Sequence, residues 1–156
     1  MNALSPFDLD FFRLLTGSHE RLLGTELVPK DEAGPDEAGQ ARWLYQAAPF
    51  CTLAHDTEAD PRFIYANRAA QACFEYDWDE IRGLRSRLSA EAENRGERQR
   101  LLDSVARRGF ATGYRGLRIA KSGRRFWIED VTVWQLIDAA GLLHGQAATY
   151  RDWRDA

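Results

Sequence analysis

The first part of the chain combines a helical apolar pattern with a polar segment. Between Ser5-Pro6 and Gly24, five apolar residues recur at helical spacing: Phe7, Phe11, Leu14, Leu15 and Leu22. Ser5-Pro6 is a typical helix start and Gly24 a typical helix end, so the pattern predicts one helix with a broad apolar face. The segment 25–40 holds two prolines, two glycines and six charged residues. This composition predicts a linker, which divides the chain into a helix (1–24), a linker (25–40) and a main domain (41–156).

After the linker, the pattern changes from helical to mostly alternating. A short helix over 41–47 is followed by two predicted strands, 50–55 and 62–66. Three predicted helices come next, and then three long strands with turns at Lys121-Ser122-Gly123 and at 138–141. This order predicts an α+β fold, with a five-stranded antiparallel sheet, a helical crossover and the N-terminal helix covering the sheet.

The crossover "RFIYANRAAQACFEYDWDEIRG" is built from small residues and two helix caps. Asn67 can cap one short helix, and Asp77 with Glu80 forms a capping box for the next. Small side chains recur at positions that meet on one helix face: Ala66, Ala69, Ala70 and Cys73. They predict a helix that lies close to the preceding strand, in a chain that bends around a small chamber.

Composition and charge exclude several classes of function. The chain has 24 acidic and 21 basic side chains, a formal net charge of −3, and no basic stripe of the kind that binds nucleic acid. No apolar run approaches the ~18 residues of a membrane span, and the first residues lack the positive charge of a signal peptide. Cys51 and Cys73 are expected to be reduced thiols. We therefore expect a cytoplasmic protein with neither nucleic acid nor membrane as a partner.

Catalytic and metal-binding motifs give little support for an enzyme. Gly-x-Ser-x-Gly, phosphate-loop, dinucleotide-binding and His-Glu-x-x-His strings do not occur in the sequence. The three histidines, His19, His55 and His144, share no metal-ligand spacing, so no metal site is predicted. One enzymatic alternative stays open: a small cone-shaped isomerase or lyase with His55 and Asp130 as an acid–base pair across a cavity.

The order of elements, together with "IYANRAAQACFEYDWDEIRG", resembles the PAS signature of strand, Asn cap, helix, Tyr, short helix and Gly. Within this class, residues 40–153 are similar to the MEKHLA family, PAS-related domains found alone in bacteria and at the end of some plant homeodomain regulators. The resemblance implies a stand-alone sensory domain that binds a small molecule. Its output would pass to a signalling protein partner or through a homodimer, with the first helix as the contact. A ligandless interaction module with a filled core is the alternative.

The chain also resembles the flavin-binding LOV branch of PAS domains, in "KSGRRFW" and "IYANRAAQACF". That branch needs a cysteine just after the Gly that ends the second short helix, but this place reads "LRSRLSA", with Ser86 at the cysteine position. A serine hydroxyl cannot supply the required nucleophile. The two flavin-holding asparagines would fall at Arg118 and Ile128, and neither matches. We therefore predict no cofactor: no flavin adduct, and neither non-covalent flavin nor haem.

The LOV resemblance also implies which side chains surround a cavity. It turns these hairpin residues inward: Tyr114, Arg118, Ile128, Asp130, Thr132 and Trp134. Trp127, Val131 and Val133 would face the other side, under the first helix. The full set of candidate ligand-binding residues is Leu53, His55, Tyr65, Trp78, Arg85, Arg87, Tyr114, Arg118, Ile128, Asp130 and Trp134.

Arg118 is the candidate with the clearest chemical requirement. A buried guanidinium needs an anion, because an unpaired buried charge is strongly destabilising. Three interpretations stay open: an internal pair with Asp130 or Glu129, the carboxylate or phosphate of a ligand, or simple exposure at the surface. His55, likewise, is either a hydrogen-bonded structural residue or part of the ligand site.

Overall fold

A computed structural model describes residues 5–90 and 95–156, and the side chains of 5–90 and 99–156. The helices are α1 (Leu9–Leu23), α2 (Lys30–Ala33), α3 (Glu37–Gln46), α4 (Arg68–Phe74), α5 (Trp78–Ile81) and α6 (Arg95–Arg108), with a 3-10 turn at Ser86–Ser89. The strands are β1 (Cys51–His55), β2 (Phe63–Ala66), β3 (Phe110–Ile119), β4 (Arg125–Ile137), β5 (Leu143–Tyr150) and β6 (Asp152–Asp155).

The strands form one antiparallel sheet in the order β2-β1-β5-β4-β3. This confirms the predicted five-stranded arrangement of two early and three late strands. The last predicted strand is divided at Arg151, so that β5 pairs with the second half of β4 and β6 with its first half. We call the face covered by α1 the outer face of the sheet and the opposite face, toward α4 and α6, the inner face.

Helix α1 covers the outer face, as the sequence predicts. It starts three residues later than Pro6, because the Asp8 side chain rather than Ser5 caps it by accepting a hydrogen bond from the Phe11 amide. Leu15 is fully buried beside Trp134, whose indole N–H donates to the Leu15 carbonyl at 3.3 Å and to Ser18 Oγ at 3.1 Å. Buried apolar side chains and the two hydrogen bonds of the Trp134 indole therefore join the helix to the sheet.

The segment 25–40, predicted as a linker, contains helical structure and buried residues. It contains α2 and the first residues of α3, which starts at Glu37 because the Asp36 side chain caps it. Leu27 and Val28 are buried in the same cluster as α1. Helix α3 starts four residues before the predicted residue 41, because the Asp36 cap allows it to begin two residues after Pro35 despite the neighbouring glycines and charges.

The two caps of the crossover lie where the sequence places them. The Asn67 side chain accepts a hydrogen bond from the Ala70 amide at the start of α4, and Asp77 with Glu80 forms the capping box of α5. Asn67 is fully buried, and its amide group also bonds the Thr52 amide and the Leu44 and Phe50 carbonyls. This one side chain connects β1, α3 and α4. The sequence also offers Ser89 as the cap of a third, polar helix that ends at Gly109, but the start of that helix involves residues 91–94, which lie outside the described residues.

A bulge on β4, in its pairing with β3, decides which side chains of β4 face inward. Between the pairs Tyr114–Val131 and Gly116–Ile128, β4 contains one more residue than β3, so Glu129 and Asp130 both lie opposite one residue of β3. Asp130 has a φ of 47°, in the left-handed region. The extra residue reverses the alternation beyond it. Val131 and Val133 therefore face inward, and the prediction that Asp130, Thr132 and Trp134 do so is wrong.

Candidate functional site

A cavity of about 660 Å³ lies on the inner face of the sheet. Strands β1, β3, β4 and β5 form its floor, and α4, α6, the 56–61 loop and the 3-10 turn contribute to its walls. Its central part is apolar, with these side chains: Leu53, Phe63, Phe74, Leu101, Ile128, Val131, Val133 and Ala148. The structure therefore brings together Leu53 and Ile128, two of the predicted apolar candidates.

A row of three polar side chains crosses the floor at one end of the cavity. His55 pairs with Gln146 across β1 and β5, and Gln146 pairs with Gln135 across β5 and β4. All three line the cavity and are half-buried. Gly145 lets the two backbones approach closely, because a methyl group there would lie 2.1 Å from the His55 carbonyl oxygen. We call His55, Gln135 and Gln146 the polar row.

The opposite end of the cavity carries Arg118 and Tyr114. The Arg118 guanidinium carbon lies 5.8 Å from the centre of the Tyr114 ring, and Nη1 donates to the Leu117 carbonyl at 3.0 Å. Gly116 separates the two side chains on the same strand, and a methyl group there would lie 2.8 Å from Arg118 Nη1 and 2.9 Å from the Tyr114 hydroxyl. The missing side chain at Gly116 lets both polar groups converge over one point of the floor.

The two carboxylates predicted as internal partners of Arg118 do not pair with it. Glu129 is bound by Arg115 at 3.2 Å and by Arg154 at 2.8 Å. Arg115 also stacks on Trp127, with 3.8 Å from its guanidinium carbon to the ring centre. The bulge at Asp130 turns both carboxylates away from the inner face, so neither forms the pair with Arg118 that the sequence argument left open.

The predicted arginines at the mouth lie on a strap across the inner face. Isolated strand bridges join Arg62 to Arg85 and Ala90 to Arg118, so residues 85–90 run from the β2 edge of the sheet to the β3 edge. Arg85 lies beside the carboxylates of Glu58 and Asp60, at 3.6 and 3.5 Å. Arg87 is largely exposed and donates to Asp60 at 3.2 Å. Of the two arginines, Arg87 lines the cavity.

Besides Arg85, four predicted site residues lie outside the cavity. Tyr65 and Trp78 pack together, with ring centres 5.9 Å apart, in an aromatic cluster with Phe11 and Tyr45. The short strand β2 turns Tyr65 toward α1 and α3 rather than toward the inner face, which explains this error. Both side chains therefore serve the core beneath α1.

Trp134 and Asp130 were placed on the wrong face because the sequence does not reveal the bulge. Trp134 is fully buried under α1, and Asp130 lines a hollow of about 230 Å³ on the outer face with Thr132 and Thr149. The acid–base pair of His55 with Asp130 does not form, since the two side chains lie on opposite faces. Gln135 and Gln146 line the cavity but are not among the residues predicted from the sequence. With the bulge assigned, inner-face alternation along β4 and β5 would have found them.

The two thiols are internal rather than part of the cavity lining. Cys51 and Cys73 are both free and buried, and the Tyr150 hydroxyl lies 3.5 Å from Cys73 Sγ. A hydrogen bond to Cys73, together with burial, raises the pKa of the Cys51 thiol well above its ordinary value. Ser86 lines the cavity at the position where a flavin adduct would need a thiol, and Ile128 offers no hydrogen bond to a flavin edge. These residues do not fit a covalently bound flavin, and the absence of other cofactors stays a prediction.

Residues 5–90 and 99–156 contain no group of three or more His, Cys, Asp or Glu side chains arranged to hold a metal ion. None of the helices in the described residues combines the length and the apolar character that crossing a membrane requires.

Solved structures similar to this chain are PAS and LOV domains. A PAS domain from Colwellia psychrerythraea has 15% identity, with 78% of this chain and 98% of that chain covered and a TM-score of 0.58. The LOV domain of the blue-light activated histidine kinase of Erythrobacter litoralis has 19% identity, coverage of 69% and 96%, and a TM-score of 0.54. An RNA-binding LOV receptor has 24% identity and a TM-score of 0.57, with 73% of this chain but 31% of that chain covered.

These similarities define the fold as that of a PAS-type domain. The family model of the MEKHLA domain matches residues 9–155, and the chain belongs to the MEKHLA family. The match starts at the first residue of α1 and so includes the cover of the outer face. A comparison with curated protein sequences found no match.

Proposed function

We propose that this MEKHLA domain is a sensor that binds a small molecule in the inner-face cavity and passes the signal on by protein contact. The observation that carries the proposal is the cavity itself. Its volume of about 660 Å³ lies within the range of about 300–1,000 Å³ usual for small-molecule sites. Its apolar lining with a few convergent polar groups is also typical of such sites.

The contrast with ordinary protein interiors supports a ligand over a filled core. Protein cores are packed about as densely as organic crystals, and voids larger than a water molecule are few. The outer-face cluster meets this standard with fully buried Leu15, Leu44, Trp134 and Leu136. The inner face also contains a buried cluster, with Phe74 and Phe126, but it borders in addition a space that its own side chains do not occupy. A ligandless interaction module has no need for such a space.

The output of the proposed sensor needs a surface other than the apolar face of α1. The helix was expected to carry the dimer contact, but its apolar side chains Phe11, Leu14 and Leu15 are buried inside the chain. Large apolar side chains remain exposed over the cavity instead, with Leu88 on the strap and Leu102 on α6 at 49% and 48% exposure. Leu102 also lines the cavity. A homodimer or a signalling partner would therefore contact the strap and α6, where it can respond to the occupant.

The decisive experiment asks whether the cavity retains a molecule. The purified protein is extracted with organic solvent and the extract is compared by mass spectrometry with that of an Ala148→Phe variant. Ala148 lines the cavity, so the added ring occupies the space. The matched control is Ala72→Phe, on an exposed position of α4. We expect a small molecule in the extracts of wild type and control, and its loss in Ala148→Phe.

Two results would contradict the proposal. One is an extract that is the same for all three proteins, and the other is the absence of any thermal stabilisation by a metabolite library for wild type. A ligand that binds only the folded state must raise its stability as its concentration exceeds its Kd. Ala148→Phe must remain folded, which its circular dichroism spectrum and its unfolding transition report.

A further inference from the structure

The polar row at one end of the cavity indicates the chemical class of the ligand. We propose that the ligand is an uncharged carboxamide with a hydrocarbon body, whose amide group binds the polar row and whose hydrocarbon part lies over the apolar floor. This inference rests on the proposed function, since it describes the occupant of the same cavity.

The strand register sorts the inner-face side chains of the floor into rows. The polar row lies in one register across β1, β5 and β4. The next row on the same face consists of Leu53, Ala148 and Val133, which also lie directly opposite one another and line the cavity. Positions two apart on a strand are separated by about 7 Å. The floor therefore changes from polar to apolar within this distance, so a matching ligand carries its polar group at one end.

The two glutamine amides of the polar row are available to a ligand. Within the described residues, neither Gln135 nor Gln146 forms a side-chain hydrogen bond with another part of the chain. Both are half-buried, and each amide has two N–H donors and one carbonyl acceptor. His55 Nδ1 donates to the Asp56 carbonyl at 2.9 Å, since that oxygen can only accept, and Nε2 of the neutral ring is therefore an acceptor. The row thus offers donors and acceptors side by side.

A carboxamide matches these groups better than other neutral head groups do. Its N–H and its carbonyl lie next to each other, so it can pair with a glutamine amide through two hydrogen bonds of opposite direction. An ester or a ketone only accepts hydrogen bonds, and a hydroxyl donates and accepts through a single atom. Burial of the hydrocarbon part over the apolar row supplies the remaining binding free energy.

The surroundings of the polar row disfavour a charged head group. The loop that directly follows β1 carries Asp56, Glu58 and Asp60, and all three line the cavity. The last two lie beside Arg85, at 3.6 and 3.5 Å, while the Asp56 carboxylate accepts the Arg62 amide at 3.0 Å. A ligand carboxylate would meet these like charges, and a ligand cation would compete with arginines already in place. A neutral head group avoids both costs.

The test uses three probes with the same eight-carbon acyl chain: octanamide, methyl octanoate and octanoate. Isothermal titration calorimetry measures each Kd for the purified full chain, for Gln146→Leu and for Gln46→Leu, the matched control at an exposed position of α3. We expect wild type to bind octanamide about tenfold more tightly than methyl octanoate, the difference that one or two additional neutral hydrogen bonds imply. Octanoate should bind least tightly of the three.

The glutamine variants test whether the polar row causes this preference. Gln146→Leu should weaken binding of octanamide about tenfold and of methyl octanoate less than about threefold, because the ester can only accept. Gln46→Leu should change neither value. Gln135→Leu should act like Gln146→Leu and serves as the second variant if that one does not fold. General damage to the fold would weaken all three probes alike, so the ratio of the octanamide and ester affinities reports recognition.

The inference and the proposed function fail in different ways. Equal affinity of wild type for octanamide and methyl octanoate, or tightest binding of octanoate, would overturn the carboxamide. So would an unchanged preference in each folded glutamine variant, which would show that the polar row is only hydrated. Absence of binding by all three probes would also overturn it, although a molecule lost only in Ala148→Phe would then still support a sensor with another ligand. If no retained molecule and no stabilising metabolite is found, the proposed function itself is wrong.

Discussion

The outer and inner faces of the sheet are formed by the same strands but differ in how completely side chains fill the space above them. On the outer face, large side chains of α1 and β4 meet in a dry cluster around Trp134, which is 0% exposed. On the inner face, neighbouring positions carry smaller groups such as Val133 and Ala148, and a space of about 660 Å³ remains. Both faces contain buried apolar clusters that stabilise the fold, and the inner face in addition borders the space to which the proposed function assigns a ligand. Matched substitutions should therefore lower the free energy of unfolding by different amounts on the two faces.

The largest difference is expected for two leucines in matched substitutions. Leu136 is fully buried on the outer face, whereas Leu53 already borders the cavity on the inner face. Leu136→Ala should lower the free energy of unfolding by about 4 kcal/mol and Leu53→Ala by about 2 kcal/mol, because the cost of a deletion grows with the new empty volume. Urea denaturation followed by tryptophan fluorescence measures both values. Equal losses would remove the proposed difference between the faces.

Asn67 lies where the two faces meet, and its loss should affect both. Asn67→Ala leaves the Thr52 and Ala70 amides and the Leu44 and Phe50 carbonyls without this partner in a buried position. We expect a loss of about 3 kcal/mol in the free energy of unfolding. Asp77→Ala is the matched control, since it removes an exposed helix cap at a cost of about 1 kcal/mol. A similar cost for both variants would show that the buried amide has no special role.

Two adjacent alanines on β5 test whether space exists on one face alone. Ala147 is buried in the outer cluster, and Ala148 lines the cavity. Ala147→Leu should destabilise the protein by about 2 kcal/mol through overpacking. Ala148→Leu should change the free energy of unfolding by less than about 0.5 kcal/mol, since its side chain enters open space. Chemical denaturation of the two variants gives the comparison, and a strongly destabilised Ala148→Leu would indicate that the cavity is closed in solution.

The smallest effect concerns the pH dependence of the outer face. Burial lowers the pKa of His19, whose ring packs edge-on against Trp134 at 4.8 Å. The unfolded chain then takes up a proton near its ordinary pKa of about 6.5 that the folded chain does not, so the free energy of unfolding falls as the pH decreases from about 7 toward 5. His19→Gln should make this decrease shallower in denaturation curves measured across that range. An unchanged slope would assign the pH dependence to other groups.

Local signals in the sequence were sufficient for the elements and their order. The Asn67 and Asp77 caps have their effect within three or four residues, so their helices are found where the sequence predicts them. The apolar spacing from Phe11 to Leu15 likewise indicated a helix that covers the sheet, as observed. The prediction of PAS-like order followed from these elements, and family membership is confirmed over residues 9–155.

The sequence alone was thus sufficient for the fold, the Asn67 and Asp77 caps and several cavity residues, including Leu53, His55 and Arg118. Which residues of β4 face the cavity depends instead on how the strands pair. A bulge depends on pairing with the next strand, and one extra residue at Glu129–Asp130 reverses the alternation of every residue beyond it. Trp134 therefore lies in the core under α1. Gln135 on β4 faces the cavity instead, beside Gln146 on β5.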